Sequence, residues 1–189
     1  MSMSIGLRPS LAARPSSTAL NSGSLTLDGA ARFAGSEAGN APAPGFYVGL
    51  AGNPGTVTID GGATLDAVDA TIATGGNVSI IDGTFSSTNT VAMTGGQLGG
   101  AGNVVADINN TGGTVAPGVS PGVINQTGSY TQGASGTFAV EIGGTTLGTE
   151  YDQLAVTGAT TLDGVLDVSL IDLGGGVFSS ALADAFTIL

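Results

Sequence analysis

The groups in this 189-residue sequence best able to exchange a proton near neutral pH are its fourteen carboxylates, because His, Lys and Cys are all absent. Carboxylate pairs are the tools of glycoside hydrolysis, where two of them flank one bond roughly 5–9.5 Å apart and one has a raised pKa. Asp60, Asp82 and Asp163 qualify by repetition, since each sits beside a glycine after a short apolar run, and Asp66 with Asp69 qualify by proximity. The Asp-Gly context explains the first three without chemistry. Asp bonds its own downstream backbone and Gly takes positive φ, so the pair makes a tight corner.

Hard cations need several oxygen ligands, and Asp66, Asp69, Asp163, Asp167, Glu150 and Asp152 are the candidate donors for calcium. The calcium-binding nonapeptide GGxGxDxUx is missing, because Gly95 to Asn103 lacks its Asp. Nucleophilic catalysis by Ser, Thr or Tyr has no His or Lys base to activate it. Lyase-type proton abstraction by Lys or Arg finds no cation beyond Arg32. Thr56 with Thr58, and Thr88 with Thr90, offer hydroxyl pairs of the kind an ice-binding lattice uses, but the pairs do not recur in register and read as β-branched strand residues. Asn77, Asn109 and Asn125 begin Asn-x-Ser/Thr triplets, read as chance matches in a Thr-rich chain. Tyr130 and Tyr151 could stack on sugars if exposed, and packing over a corner is the plainer reading. The site expectation is therefore no catalytic, cofactor or metal residue.

The elements that carry these residues are short strands. SLTLDG faces Leu25 and Leu27 one way, TVTIDGG does so with Val57 and Ile59, and NVSIIDG with Val78 and Ile80. Each unit alternates with period two and closes at Asp-Gly. Leu98, Gly100, Gly102, Val104, Ala106 and Ile108 continue the alternation, as do Phe138, Val140, Ile142 and then Leu166, Val168, Leu170. Asp60 to Asp82 (82 − 60 = 22) and Asp28 to Asp60 (60 − 28 = 32) fall within the roughly 20–50 residue periods of repeat architectures. One such unit cannot bury its apolar face alone, so stacking is the physical solution. Ala41 to Gly45 and Gly118 to Gly122 read as loops, and Phe186 to Leu189 as the inside of a strand.

Composition agrees. Gly and Pro make up 34 + 7 = 41 residues, below the roughly 25–30 % typical of low-complexity disorder, and mean hydropathy is +0.37 with 9 % charged residues. Arg8, Arg14 and Arg32 are the only cations, against a net charge of −11. Phosphates and anionic lipid are repelled by such a surface, whereas cations or neutral glycans are tolerated. The absence of Cys removes disulfides and thiolate sites. No signal peptide is legible, because Arg8, Pro9, Arg14 and Pro15 break the apolar run it needs.

Taken in order, Leu98-x-Gly100-x-Gly102-x-Val104, Gly113-Thr-Val-Ala-Pro-Gly118-x-Ser-Pro-Gly122, Tyr151-Asp-Gln-Leu-x-Val-Thr-Gly158 and Phe186-Thr-Ile-Leu resemble the autotransporter-associated β-helix repeat region of bacterial passenger domains. Val119 stands where such segments often carry Asn. The likeness covers about 82–189. It implies a right-handed parallel β-helix displayed outside the cell, acting in adhesion, in aggregation or as a stalk.

The expectations are then an all-β chain, with a poorly structured lead-in over 1–22 and a right-handed parallel β-helix over 23–189, a fragment lacking at least one cap. Its function is a structural or adhesive segment of an exported bacterial cell-surface protein, without catalysis and without cofactors. The alternative is a carbohydrate-active β-helix segment, glycosidase or phage tailspike-like, using paired carboxylates. Expected partners are surface glycans or proteins of host or neighbouring cells, with no nucleic acid and no direct membrane insertion.

Overall fold

Alternating apolar residues set between glycine corners give strands that are buried on one face and wet on the other. A computed structural model describes residues 2–5, 11–13, 18–20, 23–28, 32–35, 45–49 and 54–189. The described residues form twenty strands and no helix, so none is long and apolar enough to cross a membrane. The loop expected at Ala41 to Gly45 lies outside the described residues except for Gly45.

The strands fall into two sheets that the chain visits in turn. The first three are β1 (Ser2–Ile5), β2 (Leu11–Ala13) and β3 (Thr18–Leu20), followed by β4 (Gly23–Leu27), β5 (Arg32–Gly35) and β6 (Gly45–Val48). Next come β7 (Gly55–Ile59), β8 (Thr64–Ala67) and β9 (Asp69–Ile72), then β10 (Gly76–Ile80) and the long β11 (Thr84–Met93). β12 (Gln97–Gly100) and β13 (Asn103–Asn110) precede β14 (Thr114–Pro117), β15 (Val123–Thr127) and β16 (Tyr130–Gln132). β17 (Thr137–Ile142), β18 (Gln153–Val156), β19 (Thr160–Thr161) and β20 (Val165–Leu170) complete the series. The first sheet has the order β1-β4-β7-β10-β12-β14-β17-β20, and the remaining twelve strands make the second. Each pass of the chain adds one strand to the first sheet, then one long or two short strands to the second. Every neighbour within a sheet is parallel, for example β7 with β10, β11 with β13 and β17 with β20.

Register explains why the units repeat. Leu25, Val57, Val78, Leu98, Val115 and Phe138 are successive partners across the first sheet, and all six are buried. The interval between partners varies from 17 residues (Leu98 to Val115, 115 − 98) to 32 (Leu25 to Val57, 57 − 25). Register is thus held by side chains meeting in a column while the corners absorb the length differences. Burying each aliphatic side chain is worth about 1.5–3 kcal/mol. On the second sheet Leu65, Phe85 and Val104 make a similar column.

Two readings of the sequence are refined here. The Leu98 to Ile108 alternation is two strands in two sheets, joined by a corner at Ala101 and Gly102. A two-residue corner preserves parity, so Leu98, Val104, Ala106 and Ile108 all point inward. The Val123 to Tyr130 stretch is likewise split, between β15 and β16. Phe186 to Leu189 lies beside β18 and is fixed there by the Leu154 N–H donating to Ile188 O at 3.0 Å. On β20, Leu166 pairs with Phe138 and Val168 with Val140. They stay 55 % and 46 % exposed, whereas their partners are buried.

Amides enter the interior toward the C-terminal passes. Val48, Ile72, Met93, Asn110 and Gln132 are successive partners, so an apolar column turns polar at Asn110. Both amides are buried and bonded. Asn110 Oδ1 accepts from Gly113 N–H at 2.7 Å, and its Nδ2 donates to Thr137 O at 3.4 Å. Gln132 Nε2 donates to Asp163 O and Val165 O at 2.6 and 3.1 Å. Thr137 and Val165 are themselves partners, so the two amides make the same link one pass apart. Each supplies the corner with bonds that buried backbone groups require.

Candidate functional site

A concavity with convergent polar groups runs across the outer face of the first sheet. Period-two alternation turns Asn77 and Ser79 of β10, Gln97 of β12, Ala116 of β14 and Ala139 and Glu141 of β17 away from the core. With the loop after β14 they line a groove of about 500 Å³. Its floor is low because Gly99 and Ala116, adjacent across β12 and β14, carry almost no side chain. The wall is the loop Gly118 to Gly122, in which Ser120 has φ 67° and a cis peptide to Pro121.

Asp152 holds that wall in place. It is 1 % exposed; Oδ1 accepts from Gly122 N–H at 2.8 Å and Oδ2 from Glu141 N–H at 2.7 Å. One carboxylate therefore ties the loop after β14, thirty residues before it, to the C-terminal end of β17, eleven residues before it. Gly118 makes the approach feasible, because its φ is 105° and a Cβ there would run into the Asp152 carboxylate. Burial raises the Asp152 carboxyl above its ordinary range. The Glu141 and Gly122 N–H groups pull it back, and the neighbouring Glu141 charge adds to the rise.

Glu141 and Asp152 are thus a neighbouring carboxylate pair that sequence reading did not single out. Eleven residues separate them, and only the register of β17 against the 143–152 excursion joins them. Both Asp152 oxygens already accept backbone N–H groups, so this carboxyl acts as a clasp and is not presented to a ligand.

Of the carboxylates singled out from sequence, Asp152 lies at this groove and the others occupy other places. Asp60 and Asp82 follow β7 and β10 at one corner, whereas Asp163 precedes β20 at another, so the three do not form a stack. Asp60 and Asp163 each accept the N–H of the following glycine at 2.7 Å, which is the corner role expected of Asp-Gly. Asp66 accepts from the Ser86 hydroxyl, and Asp69 accepts from Asn89 Nδ2 at 2.9 Å. These are rungs between adjacent passes on the second sheet. Glu150 accepts from Thr146 N–H at 2.8 Å, and the Thr146 hydroxyl, followed by this N–H, holds its carboxyl below the usual range. Asp167 is exposed on β20. Among the described residues no three of His, Cys, Asp and Glu come together in a way that could hold a metal ion.

The remaining candidates resolve the same way. Thr56 and Thr58 pair with Ser24 and Thr26 on one side and with Asn77 and Ser79 on the other, and Ser79 pairs with Gly99, so the hydroxyl pair is lost at β10. Thr90 pairs with Asp107. Tyr130 is fully buried, donates its hydroxyl to Gln132 Oε1 at 2.7 Å and meets Phe138 edge-on at 6.4 Å. Burial raises its pKa, with an opposing contribution from Asn110. Tyr151 is buried against Phe186 at 5.2 Å. Neither ring is free to stack on a sugar. Asn77, Asn109 and Asn125 are exposed.

No protein-family model matches the chain, and neither a curated protein nor a solved structure is significantly similar to it.

Proposed function

We propose that the chain is a right-handed parallel β-helix serving as a structural or adhesive segment of an exported bacterial cell-surface protein, related to autotransporter passenger repeats, and that it performs no catalysis. The observation that carries this reading is the two-sheet ladder in which each pass lies parallel beside the last, clad outside in Ser, Thr, Asn and Gly. Eight strands at a spacing of about 4.8 Å extend the first sheet by roughly 34 Å without further folding machinery. Right-handed winding follows the general handedness of parallel crossover connections. A cation-free sequence beyond Arg32 suits a surface that must not adhere to nucleic acid or anionic lipid.

The carbohydrate-active alternative draws on the Glu141 and Asp152 pair. It is the weaker reading because Asp152 has both oxygens committed to backbone donors, and acid catalysis needs a carboxyl that can deliver its proton to the bond being broken. An antiserum against the chain is expected to label intact cells of the source bacterium. Solution scattering is expected to give a rod. Labelling confined to permeabilised cells overturns the export reading, and an isotropic particle overturns the column.

A further inference from the structure

We infer that the groove over the first sheet binds a neutral oligosaccharide lying across the strands, one sugar per strand step. The inference rests on the non-catalytic adhesive reading above and adds the ligand class and the residues. Three properties of the groove select this chemistry.

The first is hydrogen-bonding character. Asn77 and Gln97 present exposed amides that both donate and accept, Ser79 and Ser169 add hydroxyls, and Glu141 adds an acceptor. Groups of mixed character match sugar hydroxyls, which also donate and accept. The second is charge. All lining residues belong to the part of the sequence without a cation, so a phosphorylated or uronic acid chain would meet Glu141 uncompensated. The single available carboxylate is too little to select a polycation, because Asp152 spends both oxygens on backbone N–H groups. The third is geometry. The groove crosses β10, β12, β14, β17 and β20, a span of about 19 Å at roughly 4.8 Å per step. A pyranose linked through opposite ring positions advances by a comparable distance per unit, so successive sugars meet equivalent levels of the ladder. An extended peptide has no such fit, because these strands already spend their backbone bonds on one another and strand addition requires a free edge.

The test is titration calorimetry of the full chain with neutral gluco- and manno-oligosaccharides of four to six units, beside a polyuronate and a chitosan oligomer, followed by product analysis. Neutral oligomers are expected to bind with a Kd of about 1 mM or tighter. Ala139→Tyr, which fills the groove from β17, is expected to weaken binding at least about tenfold, and Gln97→Ala about three- to tenfold. Gln97 is exposed, so its variant leaves folding intact if Ala139→Tyr does not. No binding of any neutral oligomer, binding unchanged in both variants, or preference for the polyuronate or chitosan overturns the inference. Cleavage of an oligomer whose binding is lost in Ala139→Tyr upholds the groove and instead overturns the non-catalytic reading.

Discussion

Removing the Asp152 carboxylate tests the clasp most directly. In Asp152→Ala, Gly122 N–H and Glu141 N–H lose their partners at 2.8 and 2.7 Å. The first bond is buried and the second partly so. An orphaned buried donor costs about 1–3 kcal/mol. Against this, the variant no longer buries the charge whose desolvation raises the Asp152 pKa. The net expectation is a loss of about 2–4 kcal/mol, which lowers Tm by about 4–16 °C for a chain of this length. In a ladder where strands contact mainly their neighbours, the damage concentrates near the loop after β14. Thermal melting gives the first readout and amide exchange the second, with Gly122 and Glu141 losing protection most. A Tm change under about 2 °C with both amides still protected refutes the clasp.

The same residue predicts a pH dependence. Its folded pKa is raised, so its contribution to stability is fully present below the ordinary carboxyl range and is lost as pH rises through the raised value. The stability gap between the native chain and Asp152→Asn is therefore expected to widen on acidification below that value, and a gap that widens toward neutral pH contradicts the desolvation argument. Phe85→Ala empties a fully buried position between Leu65 and Val104 and is expected to cost about 3–5 kcal/mol in denaturant melts; under 1 kcal/mol would deny the column. Gly118→Ala forces a Cβ onto the Asp152 carboxylate at φ 105° and is expected to cost about 1–3 kcal/mol, of which the share due to the carboxylate clash, but not the backbone strain, is absent in an Asp152→Ala background when a double-mutant cycle is measured. Tyr130→Phe deletes the donor to Gln132 Oε1 inside the core, and melts are expected to show a loss of about 1–2 kcal/mol; no loss would mean that the amide finds another donor.

Much of the architecture is legible locally. Strand positions, inward-facing residues and Asp-Gly corners follow from a backbone whose side chains alternate with period two, and Val57, Ile59, Val78 and Ile80 are buried as the alternation requires. The amide column is not legible, because Asn110 and Gln132 look like surface residues until register sets them behind Met93. The candidate groove is hidden for a related reason. Its lining comes from five strands, and nothing near Gln97 in sequence says that Ala116 and Ala139 lie beside it.

The sequence by itself determined that this chain is built of short strands, that its few charges are almost all acidic, and that cationic chemistry is absent beyond Arg32. Those properties depend on residue type and on neighbours two positions away. Tertiary structure alone decided which carboxylate matters structurally, and it chose Asp152 over the repeated Asp60, Asp82 and Asp163. A contact across thirty residues depends on the length of every corner between its ends, and corner lengths here vary too much for any local pattern to encode it.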